Sequence, residues 1–362
     1  MMFKFIGTIF SVILIVLAQD CIPVDFGSDS TVCQCNSTYC DYYSDPASPK
    51  KGEFIWYVSS KSGERLKRFG GIISNHAENT YNIKIDSNTQ HQSIEGFGGA
   101  FTDSAGINIK KLSKGCQDHI MKSYFSNDGI KYNLGRVPIA GTDFSTRPYT
   151  YDDSPGDTEL ENFMLAKEDF VYKMPLMKQA LDLSPSLRFE TSAWSAPPWM
   201  KKHDQYNNFG AGRDENPKVI LGSWSRAEQL VKKLFENFNH WIVGWIDWNL
   251  ALDKQGGPNW VNNFVDAFII VDPDKDVFYK QPMFYAFAHF SKFVPRSSVR
   301  INTSSSDDIV LSTAFKTTNG EIVALLYNTS DKKKSVTISD KKVGSINLVL
   351  PPASIHTILY KN

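Results

Sequence analysis

Four of the chain's eight tryptophans, Trp241, Trp245, Trp248 and Trp260, fall within one short stretch. They sit in Gly244-Trp245-Ile246-Asp247-Trp248-Asn249 and the following Gly256-Gly257-Pro258-Asn259-Trp260. An indole face stacks on the axial C–H face of a sugar ring, and Asp or Asn beside it binds ring hydroxyls. Aromatics with short polar neighbours at a strand-to-loop junction therefore point to a carbohydrate site, the alternative being a tryptophan-rich core strand. His203 and His289 show no metal-ligand spacing, so neither metal nor cofactor is expected. Gly96-Phe97-Gly98-Gly99 lacks the Gly-x-Gly-x-x-Gly spacing of a phosphate loop and reads as a sharp strand-to-loop turn. Glu190 reads as half of a strand-end salt bridge.

The elements that must position these residues follow from periodicity. Residues 94–98, 132–137, 187–191 and 241–245 read as strands. They are separated by helical patterns near 107–124, 169–183 and 225–238. Strands alternating with helices imply a parallel sheet. Both chain ends instead alternate apolar and polar residues with turn-rich connections: 53–58 and 81–85 at one end, and 308–312, 321–327, 335–338 and 356–360 at the other. Neither end has enough strands to close a sandwich, so the two are expected to build one together. The fold class is α/β plus β.

At 362 residues two or three domains are expected. Lys+Arg and Asp+Glu are both 39, which gives no net field to hold nucleic acid. Lys4 followed by the apolar run Phe5 to Ala18 reads as a secretory leader over residues 1–18, too short to span a membrane comfortably. No later segment qualifies as a span. Cys21, Cys33, Cys35 and Cys40 form an even cluster without His. In a secreted chain this is a disulfide framework with three alternative connectivities. Cys116 stands apart as a free thiol. Asn36, Asn302 and Asn328 head Asn-X-Ser/Thr triplets and are candidate glycosylation sites.

Several longer motifs run in order along the chain: Gly96-Phe97-Gly98-Gly99-Ala100-Phe101-Thr102-Asp103, Tyr132-Asn133-Leu134-Gly135-Arg136-Val137-Pro138 and Asp143-Phe144-Ser145. They continue through Ser192-Ala193-Trp194-Ser195-Ala196-Pro197-Pro198-Trp199-Met200-Lys201, Leu221-Gly222-Ser223-Trp224, Gly244–Trp260 and Phe278–Tyr285. In these motifs the chain resembles the lysosomal glucosylceramidases, also called acid β-glucosidases, and the resemblance has consequences for fold and site. It implies a (β/α)8 barrel flanked by β domains, and disulfides Cys21–Cys33 and Cys35–Cys40. It carries Asp103 over as a ligand for glucose hydroxyls. Trp194 and Trp248 become the sugar platform, and Asn263 a further polar contact. Arg136 and Asp247 carry over as supporting residues. The implied activity is retaining hydrolysis of glucosylceramide to glucose and ceramide at membrane surfaces in the lysosome, with a saposin-type activator as partner. That chemistry uses two carboxyl groups about 5–5.5 Å apart.

Neither carboxyl motif of the family, Asn-Glu-Pro or Ser-Glu-Ala/Ser-Cys, occurs in the sequence. Asp214-Glu215-Asn216-Pro217 has the wrong order and follows loop residues. A barrel unit of strand plus helix takes roughly 30 residues, and residues 194–242 hold only one helix where several units belong. The expected architecture is thus an incomplete (β/α)8 barrel. The expected divisions are a disulfide and β region at 19–93, the truncated barrel at 94–293 and a β-sandwich part at 294–362. As written the chain is expected to be inactive. The alternatives are a glycolipid-binding pseudoenzyme and an incomplete version of an active enzyme.

Overall fold

The computed structural model describes residues 20–45, 48–79, 81–194, 196–202, 219–305 and 308–361. The proposed leader at 1–18 and the Asp214–Pro217 segment lie outside these residues. Among the described residues, no helix is long and apolar enough to cross a membrane.

Four parallel strands form the sheet that bears the site: β1 (Gly96–Ala100), β2 (Leu134–Ile139), β3 (Arg188–Ala193) and β4 (Gly244–Asn249). Their spatial order is β3-β2-β1-β4. The last of these four strands pairs with the first, as closure of a barrel requires, but β3 and β4 remain as open edges among the described residues. Among the described residues, four of the eight strands of a (β/α)8 barrel are therefore present. The expected positions of β1, β2 and β3 held to within two residues, whereas β4 starts three residues and ends four residues later than expected.

The glycines of β1 are structural. Gly96 has φ +146°, and a Cβ on Gly98 would stand 2.0 Å from the Leu134 carbonyl oxygen. Only glycine lets β1 and β2 approach this closely.

Helices α1 (Asp103–Lys110), α2 (Lys114–Phe125), α3 (Met174–Leu183), α4 (Trp224–Asn239) and α5 (Pro282–Ser291) pack around the sheet. The pattern expected as one helix near 107–124 is two, α1 and α2. Ser113 separates them and gives its N–H to Asp276 Oδ1 at 2.8 Å. α4 buries Trp224, Ala227, Leu230, Val231, Leu234, Phe235 and Phe238 on one face, the spacing of an amphipathic helix. Phe97 of β1 meets Phe238 of α4 and Phe287 and Phe290 of α5, which fixes these helices on the outer side of the sheet.

Both chain ends join one nine-stranded sheet, as expected. Strands Glu53–Ser60, Lys67–Ile72 and Asn82–Ser93 lie among the six strands between Val299 and Lys361. The sheet is continuous, and a bridge from Ser74 to Ser345 draws its two edges together around an apolar interior. The boundary expected at residue 93 therefore separates pieces of sequence, while residues 53–93 belong structurally with the C-terminal end.

A third sheet was not anticipated. The cysteine strand Val32–Asn36 pairs with Val277–Lys280, far away in sequence. Cys21–Cys33 and Cys35–Cys40 are both disulfide-bonded, the connectivity implied by the resemblance, and Cys116 is a buried free thiol. A fully buried ion pair locks this region to the barrel: Lys280 Nζ lies 3.0 Å from Asp41 Oδ1, and the Tyr285 hydroxyl donates to Asp41 Oδ2 at 2.7 Å. Such a pair is costly to break, because either partner alone would be an uncompensated buried charge.

Candidate active site

Successive strand residues point to opposite faces of a sheet. Phe97 and Trp245 face the helices, as their packing against the core shows. Trp248, Arg136 and Trp194 project from the other face, the one that lines the interior of a barrel. Trp194 follows β3 and Trp248 is the next-to-last residue of β4, so the two indoles come from opposite edges of the sheet. They stack with centroids 5.0 Å apart and planes 18° from parallel. The Arg136 guanidinium, from the strand between, lies 5.0 Å from the Trp194 centroid and 5.3 Å from that of Trp248. The Ser192 hydroxyl accepts from Arg136 Nε at 3.3 Å and from its Nη2 at 3.2 Å, which aims the guanidinium. Three residues singled out from the sequence thus meet as one half-buried cluster at the carboxyl ends of the strands, where barrel enzymes carry their sites.

Asp103 opens α1, directly after β1. Thr102 caps that helix by accepting from the Ala105 N–H at 3.1 Å and donates its own hydroxyl to Asn249 Oδ1 at 2.6 Å. The Asp103 carboxylate is 2% exposed. Its Oδ2 accepts from the hydroxyls of Ser145 at 2.6 Å and Tyr149 at 2.8 Å. Its Oδ1 has no hydrogen-bond donor among the described residues and faces the buried Lys173 ammonium at 3.5 Å. Burial pushes the Asp103 carboxyl above its ordinary range, and Lys173 and the two hydroxyls work against that shift. Lys173 is itself held by Asp169 at 2.9 Å and by the carbonyls of Pro138 and Ala140.

Asn263 donates its amide to Asp143 Oδ2 at 3.0 Å. Burial raises the Asp143 carboxyl too, and this hydrogen bond opposes the rise. Trp260 gives its indole N–H to the Thr142 carbonyl at 2.8 Å.

The loop after β2 joins all these groups. Asp143 holds Asn263. The Phe144 ring meets Trp248 edge-on at 6.0 Å, and its carbonyl accepts from the Ser104 hydroxyl at 2.7 Å. Ser145 and Tyr149 hold Asp103. Sequence reading picked out Asp143-Phe144-Ser145 as a matching motif without giving these residues roles, and it missed Tyr149 and Lys173. The available sign was Asp169 and Lys173 one helical turn apart on a segment expected to be helical.

The remaining carboxylates lie differently. Asp247 points to the helix side. It accepts from its neighbours' Trp245 Nε1 at 3.2 Å and Trp248 N at 2.9 Å, and burial raises it. These contacts brace the strand. Glu190 is exposed and sits in register with Arg136. It forms no ion pair among the described residues, so the strand-end salt bridge expected for it is absent there. His289 is fully buried between the Thr357 and Ser59 hydroxyls, far from any ligand role. His203 lies outside the described residues.

The sequons divide. Asn328 is 0% exposed and donates both amide hydrogens, to the carbonyls of Lys332 and Pro351, so the fold leaves no room there for a glycan. Asn36 and Asn302 are half-buried.

Comparison with known proteins agrees with the architecture. The glycosyl hydrolase family 30 TIM-barrel domain matches residues 94–216 and 208–294, and the glycosyl hydrolase family 30 beta sandwich domain matches residues 297–358. The lysosomal acid glucosylceramidase of Mus musculus is 31% identical over 494 aligned positions, covering 95% of this chain and 96% of the relative. Since the chain has 362 residues, more than a hundred of those positions face no residue here. The endo-1,6-beta-D-glucanase BGN16.3 of Trichoderma harzianum is 30% identical over 231 positions, covering 59% of this chain and 47% of its own length. The crystal structure of SrfJ from Salmonella typhimurium shares the fold, with a TM-score of 0.77 at 21% identity over 86% of this chain and 100% of that one.

Proposed function

The chain belongs to glycosyl hydrolase family 30, and from that premise we propose that it binds the glucosyl head of glucosylceramide but does not hydrolyse it. The observation that carries the reading is the cluster of Trp194, Trp248 and Arg136, with Asp103 and Asn263 tied to it through one loop. Indole faces supply stacking area for a pyranose, and carboxylate and amide groups supply hydroxyl partners. The spare acceptor on Asp103 Oδ1 suits a sugar hydroxyl that reaches it.

Retaining hydrolysis needs one carboxyl group to attack the anomeric carbon and a second to protonate the leaving oxygen. Both family motifs that would supply them are absent from the sequence. Asp103, Asp143 and Asp247 each hold a structural hydrogen bond, which among the described residues leaves Glu190 as the carboxylate on the interior face of the strands. General acid–base catalysis is typically worth about 10²–10⁴-fold in rate, so losing both groups removes turnover. The test is calorimetric titration of a soluble β-glucoside into the protein and its Trp248→Ala variant. Binding that is equal in both would overturn the reading.

A second reading is favoured by the long alignment with a short chain, and by the barrel domain matching in two blocks. Here the chain is a shortened version of an active lysosomal glucosylceramidase of sphingolipid catabolism. Its glycolipid would lie at membrane surfaces, and a saposin-type activator would present it. Sequencing the messenger RNA across the codons for Gly212 to Leu221 decides between the readings. A transcript that carries the two carboxyl motifs supports the second.

A further inference from the structure

Three lysines are buried among the described residues, and acids neutralise two of them: Asp169 pairs with Lys173 and Asp41 with Lys280. The third, Lys292, is 4% exposed and has no carboxylate within ion-pair range among the described residues. Its ammonium donates to the Asn127 carbonyl at 2.8 Å and the Gly129 carbonyl at 3.0 Å. An ammonium carries three hydrogens, so one is left there without an acceptor. The preceding residue, Ser291, is equally buried, and its hydroxyl has no hydrogen-bond partner among the described residues. Buried polar groups are ordinarily satisfied and buried charges paired. Two exceptions side by side point to an occupant.

Both residues stand in the wall of a cleft of about 730 Å³. The cleft lies beside Asn133, which precedes β2, and Ser186, which precedes β3. It is therefore at the amino-terminal ends of the strands, away from the indole cluster at their carboxyl ends. The acids in its wall are already engaged, Asp45 by Lys131 and Glu321 by Lys361. Arg296, in the same wall, donates to backbone carbonyls of Glu95, Ser186 and Asn133. Asp45 and Asp128 act on the Lys292 charge from beyond contact, and Lys131 opposes them. Pro46 and Ala47, which join Asp45 to Ser48, have no charged side chain. The cleft is thus left with positive charge that no acid compensates.

We propose that this cleft binds a small hydroxylated oxyanion, a phosphate or carboxylate carried on a polyol, through the Lys292 ammonium and the Ser291 hydroxyl. The anion accepts the unused N–H of Lys292 and the O–H of Ser291, and its charge compensates the buried ammonium. The volume falls in the range of small-molecule sites. Ser184, Ser186 and Ser297, which also line the cleft, offer partners for the polyol hydroxyls. Burial lowers the Lys292 amine to about 7, so it carries its charge in mildly acidic solution.

The test is calorimetric titration of the purified chain in mildly acidic buffer, with glycerol 3-phosphate and glycerate as the anions and glycerol as the uncharged control. The expected result is saturable binding of at least one anion and none of glycerol. Lys292→Met should weaken that binding about tenfold or more, the weight of one charge-assisted hydrogen bond. Ser291→Ala should weaken it measurably, and Trp248→Ala should leave it unchanged. Binding of glycerol 3-phosphate alone assigns a phosphate, of glycerate alone a carboxylate, and of both the charge they share. No saturable binding of either anion, equal binding of glycerol, loss of binding in Trp248→Ala, or undiminished binding in folded Lys292→Met would each overturn the proposal. Circular dichroism checks the fold of each variant. If Lys292→Met does not fold, undiminished binding in Ser291→Ala overturns it in its place.

Discussion

Trp194 and Trp248 stack face to face at 5.0 Å although they come from opposite edges of the four-stranded sheet. A flat sheet would hold those edges too far apart. Their contact shows that the four described strands keep the curvature of a barrel, and the Arg136 guanidinium flanks the stack, 5.0 Å from one ring centroid and 5.3 Å from the other. One face of each indole is therefore engaged by the other ring.

Removing one member of the stack should show in stability as well as in binding. Trp248 is half-buried and meets Trp194, Arg136 and Phe144. Trp248→Ala is expected to cost about 2–3 kcal/mol, toward the low side of large-to-small substitutions because the site is partly open. Urea unfolding measures it. A loss below about 0.5 kcal/mol, within the range of ordinary surface substitutions, would mean the cluster contributes little to the fold.

Lys173 is expected to be the most sensitive charged residue near the site. It is 1% exposed and compensates both Asp169 and Asp103. Lys173→Met leaves two buried carboxylates with reduced compensation and should destabilise by about 3–5 kcal/mol. Adding Asp169→Asn to that variant should recover part of the loss, because one of the stranded charges is removed. A double variant no more stable than the single one would contradict this account.

The buried Lys292 should give the fold a pH dependence. Its ammonium donates to the carbonyls of Asn127 and Gly129, and burial, with Lys131 nearby, lowers it to about 7. The unfolded chain keeps this proton up to the ordinary lysine range near 10.4. Between about pH 7 and 10 the unfolded state thus binds more protons, and stability contributed by this group rises with pH. Below about pH 7 both states are charged and the penalty is fully present. Lys292→Met should flatten this rise and gain more stability at neutral pH than at about pH 10. Equal gains at both would show that the lysine does not titrate in this window.

Glycan occupancy should follow burial. Asn36 Oδ1 accepts from Thr38 and Tyr39, which leaves its amide nitrogen without a hydrogen bond among the described residues. Asn328 uses both of its amide hydrogens. Glycopeptide mass spectrometry of chain secreted from eukaryotic cells should find Asn36 modified and Asn328 bare. A glycan on Asn328 in folded protein would contradict the structure there.

Much of this fold was legible because it depends on local pattern. Glycines flank the first strand where the second approaches. The α4 stripe repeats at helical spacing, and the chain ends alternate as strands do. The residues carried by the family motifs, Arg136, Trp194 and Trp248, meet as one cluster. What was not legible depends on contacts distant in sequence. Nothing near Cys33 announces a pairing with Val277–Lys280, since the partner strand is too short to have a pattern of its own. Tyr149 and Lys173 look like ordinary loop and helix residues until the fold brings them to Asp103. Ser113 ends one helix and begins the next because of Asp276, far along the chain.

The central claim, a sugar-binding wall without the pair of acids that cuts the bond, is tested most directly by turnover of a fluorogenic β-glucoside. Purified protein should release the fluorophore no faster than buffer, across acidic to neutral pH. Sustained turnover that disappears in Trp248→Ala protein would contradict it.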